Sequence, residues 1–188
     1  SLVFPCSFPF ASFPLSSLLA PASLSLRYPR SSPCFLRSSV TYGISPRCFI
    51  RLHLFSPVEM FLFCHPVASL AVPHLLLQWE KDFISAMNIP FRVIDVASGD
   101  LGSSATRKFD CEAWIPTQDT YREITSTSNC TEFQARRLNI RMKDGQDTKS
   151  VATLNGTLVA ITRMIVAILV NHQNADGTVN VQTALQHF

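Results

Sequence analysis

The sequence predicts an α+β domain in which an antiparallel sheet is flanked by helices. Three observations predict it. A series of short runs rich in β-branched and aromatic residues fills the chain between residues 48 and 154, as strands require. Only two stretches carry helical spacing, so most strands follow one another without a helix between them, which argues against a βαβ repeat. The 188 residues fit one domain, long enough to bury roughly 70% of its unfolded surface.

Taken in order, residues 48–55 and 58–64 read as a hairpin around Ser56-Pro57. Residues 74–87 read as a helix. Leu75, Leu76, Trp79, Phe83 and Met87 fall on one stripe at spacings of three and four, and Asn88-Ile89-Pro90 ends it. Residues 91–97 alternate as a strand does, and Ser98-Gly99-Asp100-Leu101-Gly102 forms a glycine-bearing loop. Further strands are expected at 109–115, 121–127, 138–142 and 150–154. Residues 157–172 form the second helix, apolar on most sides and therefore expected to be buried.

The composition breaks sharply along the chain. No Asp or Glu precedes Glu59, and residues 1–58 hold five Arg, no Lys and eight of the 12 Pro, with no Asn, Gln, Met or Trp. The formal net charge of +3 therefore belongs to that segment and does not mark a nucleic-acid patch. Proline at this density blocks helices and restricts strands to edges, so the plain reading of the segment is disorder. A secretory signal is its rival, but the first basic residue is Arg27, and Pro5, Pro9, Pro14 and Pro21 interrupt the apolar stretch. Residues 158–170 are apolar but contain Arg163 and fall short of the ~20 residues a membrane span needs. The expectation is a soluble, cytoplasmic protein with no membrane partner. Cys6, Cys34, Cys48, Cys64, Cys111 and Cys130 form no CxxC pair, which argues against a zinc ribbon or a disulfide scaffold and for buried thiols in a reducing compartment. The generic phosphate-loop, zinc-protease and nucleophile-elbow signatures are absent.

Three stretches carry a more specific signal: Phe49-Ile50-Arg51-Leu52-His53-Leu54-Phe55-Ser56-Pro57-Val58-Glu59-Met60, then Tyr121-Arg122-Glu123-Ile124-Thr125-Ser126-Thr127-Ser128-Asn129, then Thr153-Leu154-Asn155-Gly156-Thr157 leading to Arg163. Together, in this order, they resemble the seryl-tRNA synthetase family of class II aminoacyl-tRNA synthetases. Residues 91–100, 110–116 and 133–139 and Asn171-His172-Gln173 match as well. The resemblance implies a six- or seven-stranded antiparallel catalytic sheet that uses ATP and Mg²⁺ to activate serine and then esterifies serine tRNA, in a parent enzyme that is a homodimer. It divides the chain into residues 1–46, a degraded or poorly ordered part of the core, and residues 47–188, the C-terminal part of the catalytic domain.

The residue roles follow from the resemblance, and the residue types suit them. Arg163 and Glu123 would be the catalytic pair. A planar guanidinium such as that of Arg163 can stack over adenine and reach phosphates, with Phe55 on the other face of the base and the Leu52 backbone lining the adenine site. Glu123, Ile124, Thr125 and Ser126 form the run assigned to ATP, and Glu123 with Ser126 would hold Mg²⁺, which prefers oxygen ligands shared with phosphates. Glu59, Asn155 and Thr157 would read serine, since a site built to hydrogen-bond a hydroxyl rejects analogues that strand its polar groups. Taken one at a time, Glu59 also reads as a solvated strand charge, Arg163 as a snorkelling helix residue, Phe55 as core and Glu123 as half of a surface ion pair with Arg122. Their joint order favours the site.

The pattern also departs from the family. Leu36 and Ser38 stand where the family's second motif has an arginine for the α-phosphate and a glutamate for the adenine side, and Pro5 and Ser7 stand where it has the Thr and Glu of a serine-binding Thr-x-Glu. Leu54 and Pro57 replace a usual Gln and Lys. The over-represented Ser, Pro, Phe and Leu have pyrimidine-rich codons, so the first 58 codons read as error or decay laid over a synthetase gene. The family's tRNA-gripping N-terminal arm and first motif are not in the chain, which reads as an inactive fragment of an active enzyme. The alternatives are a non-catalytic relative that binds a nucleotide or a protein, or a ligase that acylates a carrier protein.

Overall fold

The computed structural model describes residues 16–35 and 54–187. Its centre is a six-stranded sheet in the order β2-β5-β11-β8-β7-β6, formed by β2 (Leu26–Ser31), β5 (Pro57–Cys64), β6 (Phe91–Asp95), β7 (Arg107–Ile115), β8 (Thr120–Asn129) and β11 (Ala152–Ala160). Every neighbouring pair is antiparallel, as expected. A small sheet joins β1 (Leu18–Leu19), β9 (Arg141–Asp144) and β10 (Asp147–Ser150), and a ribbon joins β3 (Cys34–Phe35) to β4 (Leu54–Phe55). The helices are α1 (Val72–Ala86), α2 (Phe133–Leu138) and α3 (Ile161–His172).

The hairpin expected around Ser56-Pro57 is a different object. Leu54–Phe55 pairs with Cys34–Phe35, while Pro57–Cys64 pairs with Leu26–Ser31 and β11. Every pair in β2·β5 and in β3·β4 has the same sum of residue numbers, from Leu26 facing Phe63 to Phe35 facing Leu54. Both ribbons are therefore stretches of one long antiparallel hairpin, and Ser56 is a break within an arm rather than its turn. The strands Leu26–Ser31 and Cys34–Phe35 come from the proline-rich segment, and Pro29 sits on β2, at the edge of the sheet among the described residues, where a missing N–H is tolerated.

Other expectations shift as well. Residues 157–160 belong to strand β11, and the helix begins only at Ile161. Leu158-Val159-Ala160 is a short apolar run that periodicity alone cannot assign. The helix is also less buried than its composition suggested: Met164 and Ala167 are buried, whereas Ile161, Ile165 and Leu169 stay exposed along one stripe. Leu138, expected in a strand, closes the short helix α2, which Asn139 terminates in the left-handed region at φ 51°.

Helix α1 begins with Pro73 in its first turn and ends at Ala86, where Asn88 turns left-handed at φ 52°. Its buried residues are Pro73, Leu76, Leu77, Glu80 and Ile84. The expected stripe is thus rotated: Leu75 is exposed and Trp79 and Phe83 are half-buried. Cross-strand partners share a face of a sheet, which separates the two sides cleanly. Met60, Leu62, Leu154 and Cys111 turn toward α1 and α3 and join the two apolar clusters there. On the other face Phe61, Phe63, Tyr28 and Leu26 pack under α2 and the small sheet. Among the described residues that covering stops short of Glu59, and the remainder of the face carries polar residues.

Candidate active site on the open face

Three neighbouring strands present the candidate residues to that uncovered area. Glu59 lies opposite Thr157, Thr157 lies opposite Ser126, and Asn155 lies opposite Phe61 on one side and Ser128 on the other. Glu59, Asn155, Thr157 and Ser126 therefore share one face. The Thr157 hydroxyl donates to Glu59 Oε1 at 2.8 Å, and the Cys130 thiol donates to Asn155 Oδ1 at 3.3 Å. Burial pushes the Glu59 carboxyl up to about 7, against the opposing pull of the Thr157 bond. Arg30 of β2 faces Glu59 from the other side.

A register shift between Cys111 and Glu112 decides how β8 is read. Cys111 pairs with Thr125 and Glu112 with Glu123, so Ile124 is the extra residue. Glu123 and Ser126, on either side of the bulge, both end on the open face, opposite Glu112 and Asp110 respectively. Ile124 is 2% exposed within the core cluster against α3, and Thr125 turns back to donate to Glu80 at 3.0 Å. Neither of those two side chains reaches the open face, which leaves only their backbone to meet a nucleotide there.

Arg163 sits in the first turn of α3 and reaches Glu123 twice. Its Nη1 donates to the Glu123 carbonyl at 2.9 Å and lies 3.4 Å from Glu123 Oε2. Lys108 approaches the same carboxylate at 3.7 Å and Asp110 at 2.8 Å. Burial pushes Asp110 above the ordinary carboxylate range, helped by the negative charges of Glu123 and Glu112 and opposed by Lys108. Phe55, half-buried, is four residues before Glu59 on the same hairpin arm, and strand alternation places it on the Glu59 face. Leu52 lies outside the described residues, as do Leu36, Ser38, Pro5 and Ser7.

Three charged residues of this face, Lys108, Asp110 and Glu112, were not singled out by sequence reasoning. Their signal was the alternation of charged and apolar residues in Lys108-Phe109-Asp110-Cys111-Glu112, which places every charge on one side of a strand. Glu80 was missed for the opposite reason, because it lies inside an apolar helix face that periodicity scores as core. The described cysteines are all buried, and burial pushes Cys64 up to about 11 and Cys111 up to about 12, so neither is a nucleophile at neutral pH. No helix among the described residues is long and apolar enough to cross a membrane.

The six-stranded antiparallel sheet agrees with a match of residues 12–172 to the tRNA synthetase class II core domain (G, H, P, S and T), and the chain belongs to that family. Within it, the chain is similar to serine–tRNA ligases. It is 58% identical to that of Acidothermus cellulolyticus and 53% identical to that of Streptomyces coelicolor, over 95% and 96% of its length. It spans 42% of the length of each. Among solved structures, the seryl-tRNA synthetase of Pyrococcus horikoshii complexed with ATP superposes with a TM-score of 0.88 at 40% identity, over 92% of this chain and 39% of that one. The cytoplasmic serine–tRNA ligase of Naegleria fowleri in complex with AMP gives 0.87 at 33% identity, over 95% and 42%.

Proposed function

We propose that this chain forms the serine pocket and part of the ATP site of a cytoplasmic serine–tRNA ligase, which activates serine as its adenylate and passes it to serine tRNA, in a homodimeric parent enzyme. The observation that carries the reading is the single face shared by Glu59, Asn155, Thr157, Ser126 and Glu123, with Arg163 anchored beside it. Glu59 is the acceptor for the serine ammonium, and Thr157 and Asn155 supply polar partners for the remaining groups. In the first step a serine carboxylate oxygen bonds to the α-phosphorus as the bond to pyrophosphate breaks. The chain's part is to hold the two in line and to offset the charge that develops. Arg163, fixed by the Glu123 carbonyl, offers its guanidinium to that charge, and Phe55 offers a ring to the base.

Glu123 and Ser126 suit Mg²⁺: both are hard oxygen donors, on one face, flanking one bulge. Two protein ligands are what this ion takes when phosphates and waters complete its shell. When bound it neutralises phosphate charge. Leu36 and Ser38 leave the first step without its expected arginine and glutamate, and Pro5 and Ser7 leave the pocket without its expected Thr-x-Glu, so the chain exchanges pyrophosphate into ATP slowly and holds serine through Glu59, Asn155 and Thr157 alone. The double variant Leu36→Arg with Ser38→Glu is expected to raise serine-dependent exchange by roughly a hundredfold, the scale of one restored charge-stabilising donor. Exchange that stays flat, in a chain that also fails to bind serine, would sink the reading.

A further inference from the structure

The pocket residues face one way, but the strands that carry them are keyed together from behind. Glu80 projects from α1 onto the closed face of the sheet and is 0% exposed. Its Oε1 accepts from the Thr127 hydroxyl, its Oε2 accepts from the Thr125 hydroxyl at 3.0 Å, and the Cys111 thiol lies 3.8 Å from Oε2. One carboxyl thus engages β7 and β8. It also abuts β11, because a Cβ added at Gly156 would stand 2.9 Å from Glu80 Oε1 and 2.7 Å from Thr127 Oγ1, closer than real Cβ atoms come. Gly156 is flanked by Asn155 and Thr157, and Ser126 is flanked by Thr125 and Thr127, so every residue Glu80 touches on these two strands is next to one on the open face.

We propose that Glu80 is a positioning residue for the amino-acid pocket, setting the depth of β11 against β8 through Gly156, Thr125 and Thr127. This rests on the reading of the open face as a serine site. An apolar side chain would fill the same space without the cost of burying a carboxyl; what it lacks is two acceptor oxygens directed at two strands. Close-packed interiors transmit such a change, because strands held by directional bonds do not slide freely. Removing the acceptors strands two buried hydroxyls, and their rearrangement shifts the backbone between Asn155 and Thr157.

The test titrates serine, and separately ATP, into the wild-type chain and into Glu80→Met and Glu80→Gln, scoring affinity of the folded protein. Glu80→Met is expected to weaken serine about tenfold through the displaced Asn155 and Thr157, with ATP affinity changed less than about threefold. Glu80→Gln keeps one acceptor, and the threonine hydroxyls can rotate to accept from its amide, so it is expected to restore serine binding. A folded Glu80→Met that binds serine as the wild type does, whatever its melting temperature, overturns the proposal. If that variant does not fold, Gly156→Ala pushes on the same contact from β11 and is expected to show the same serine-selective loss; unchanged serine affinity in folded Gly156→Ala overturns the proposal equally. A wild-type chain that binds no serine removes the serine reading and this inference with it, whereas wild-type binding with unaffected variants removes this inference alone.

Discussion

Glu59 and Glu80 are two glutamates on opposite faces of one sheet, each bonded to threonines and each pushed up to about 7 by burial. Their surroundings separate them. Glu80 has donors from two strands and no access to solvent, whereas Glu59 receives one Thr157 bond and sits half-buried on a patch that no described element covers. A shifted carboxyl is therefore not by itself a mark of a binding site. The face it occupies, and the donors already spent on it, decide whether it can serve a ligand or a neighbouring strand.

The comparison predicts unequal responses to the same substitution. Glu80→Ala removes the acceptor for two buried hydroxyls and leaves a cavity, so unfolding in urea is expected to lose about 3 kcal/mol or more. Glu59→Ala should lie within about 1 kcal/mol of wild type. Equal losses would break the distinction. Gly156→Ala, with its Cβ forced against Thr127 and Glu80, is expected to cost about 2 kcal/mol by overpacking.

Acid dependence sharpens the comparison further. Both carboxyls hold a proton in the folded chain at pH values where the unfolded chain has released it, so the folded state binds more protons. Their contribution to stability is full below the ordinary carboxylate range and falls as pH rises toward 7. Urea midpoints measured across that window should decline for wild type, and less steeply for Glu80→Gln. The smallest effect is expected at an exposed pair of the same sheet. Arg92 and Glu112 meet at 2.7 Å, but Arg92 is 52% exposed, and Arg92→Ala should cost no more than about 1 kcal/mol.

The Glu59 side of this contrast was legible in the amino-acid order, and the Glu80 side was not, for physical causes. Residues joined by resemblance, such as Glu59, Asn155, Thr157 and Ser126, are brought onto one face by antiparallel register, which turns residues far apart in sequence into direct neighbours. The bulge at Ile124 was not visible, because a bulge is a property of a pair of strands and leaves no fixed mark on one of them; without it, the run from Glu123 to Ser126 reads as one continuous contact surface. Glu80 was hidden because apolar periodicity finds where a helix is buried but not which polar groups its neighbours can satisfy. No turn signal separates strand from helix at residues 157–160, so the apolar pattern runs on into helix α3, and the partner of Leu54–Phe55 lies in a proline-rich stretch that reads as unfit for a sheet.

The most direct test of the central claim, that the open face around Glu59 is a serine site, is calorimetric titration of serine into wild type and Glu59→Gln at about pH 6 and at about pH 7.5, on either side of the Glu59 transition. An ionised Glu59 that holds the serine ammonium predicts tighter wild-type binding at the higher pH, and binding by Glu59→Gln that is at least about tenfold weaker and insensitive to this change. Glu59→Gln that binds serine as tightly as wild type at both pH values would contradict the account.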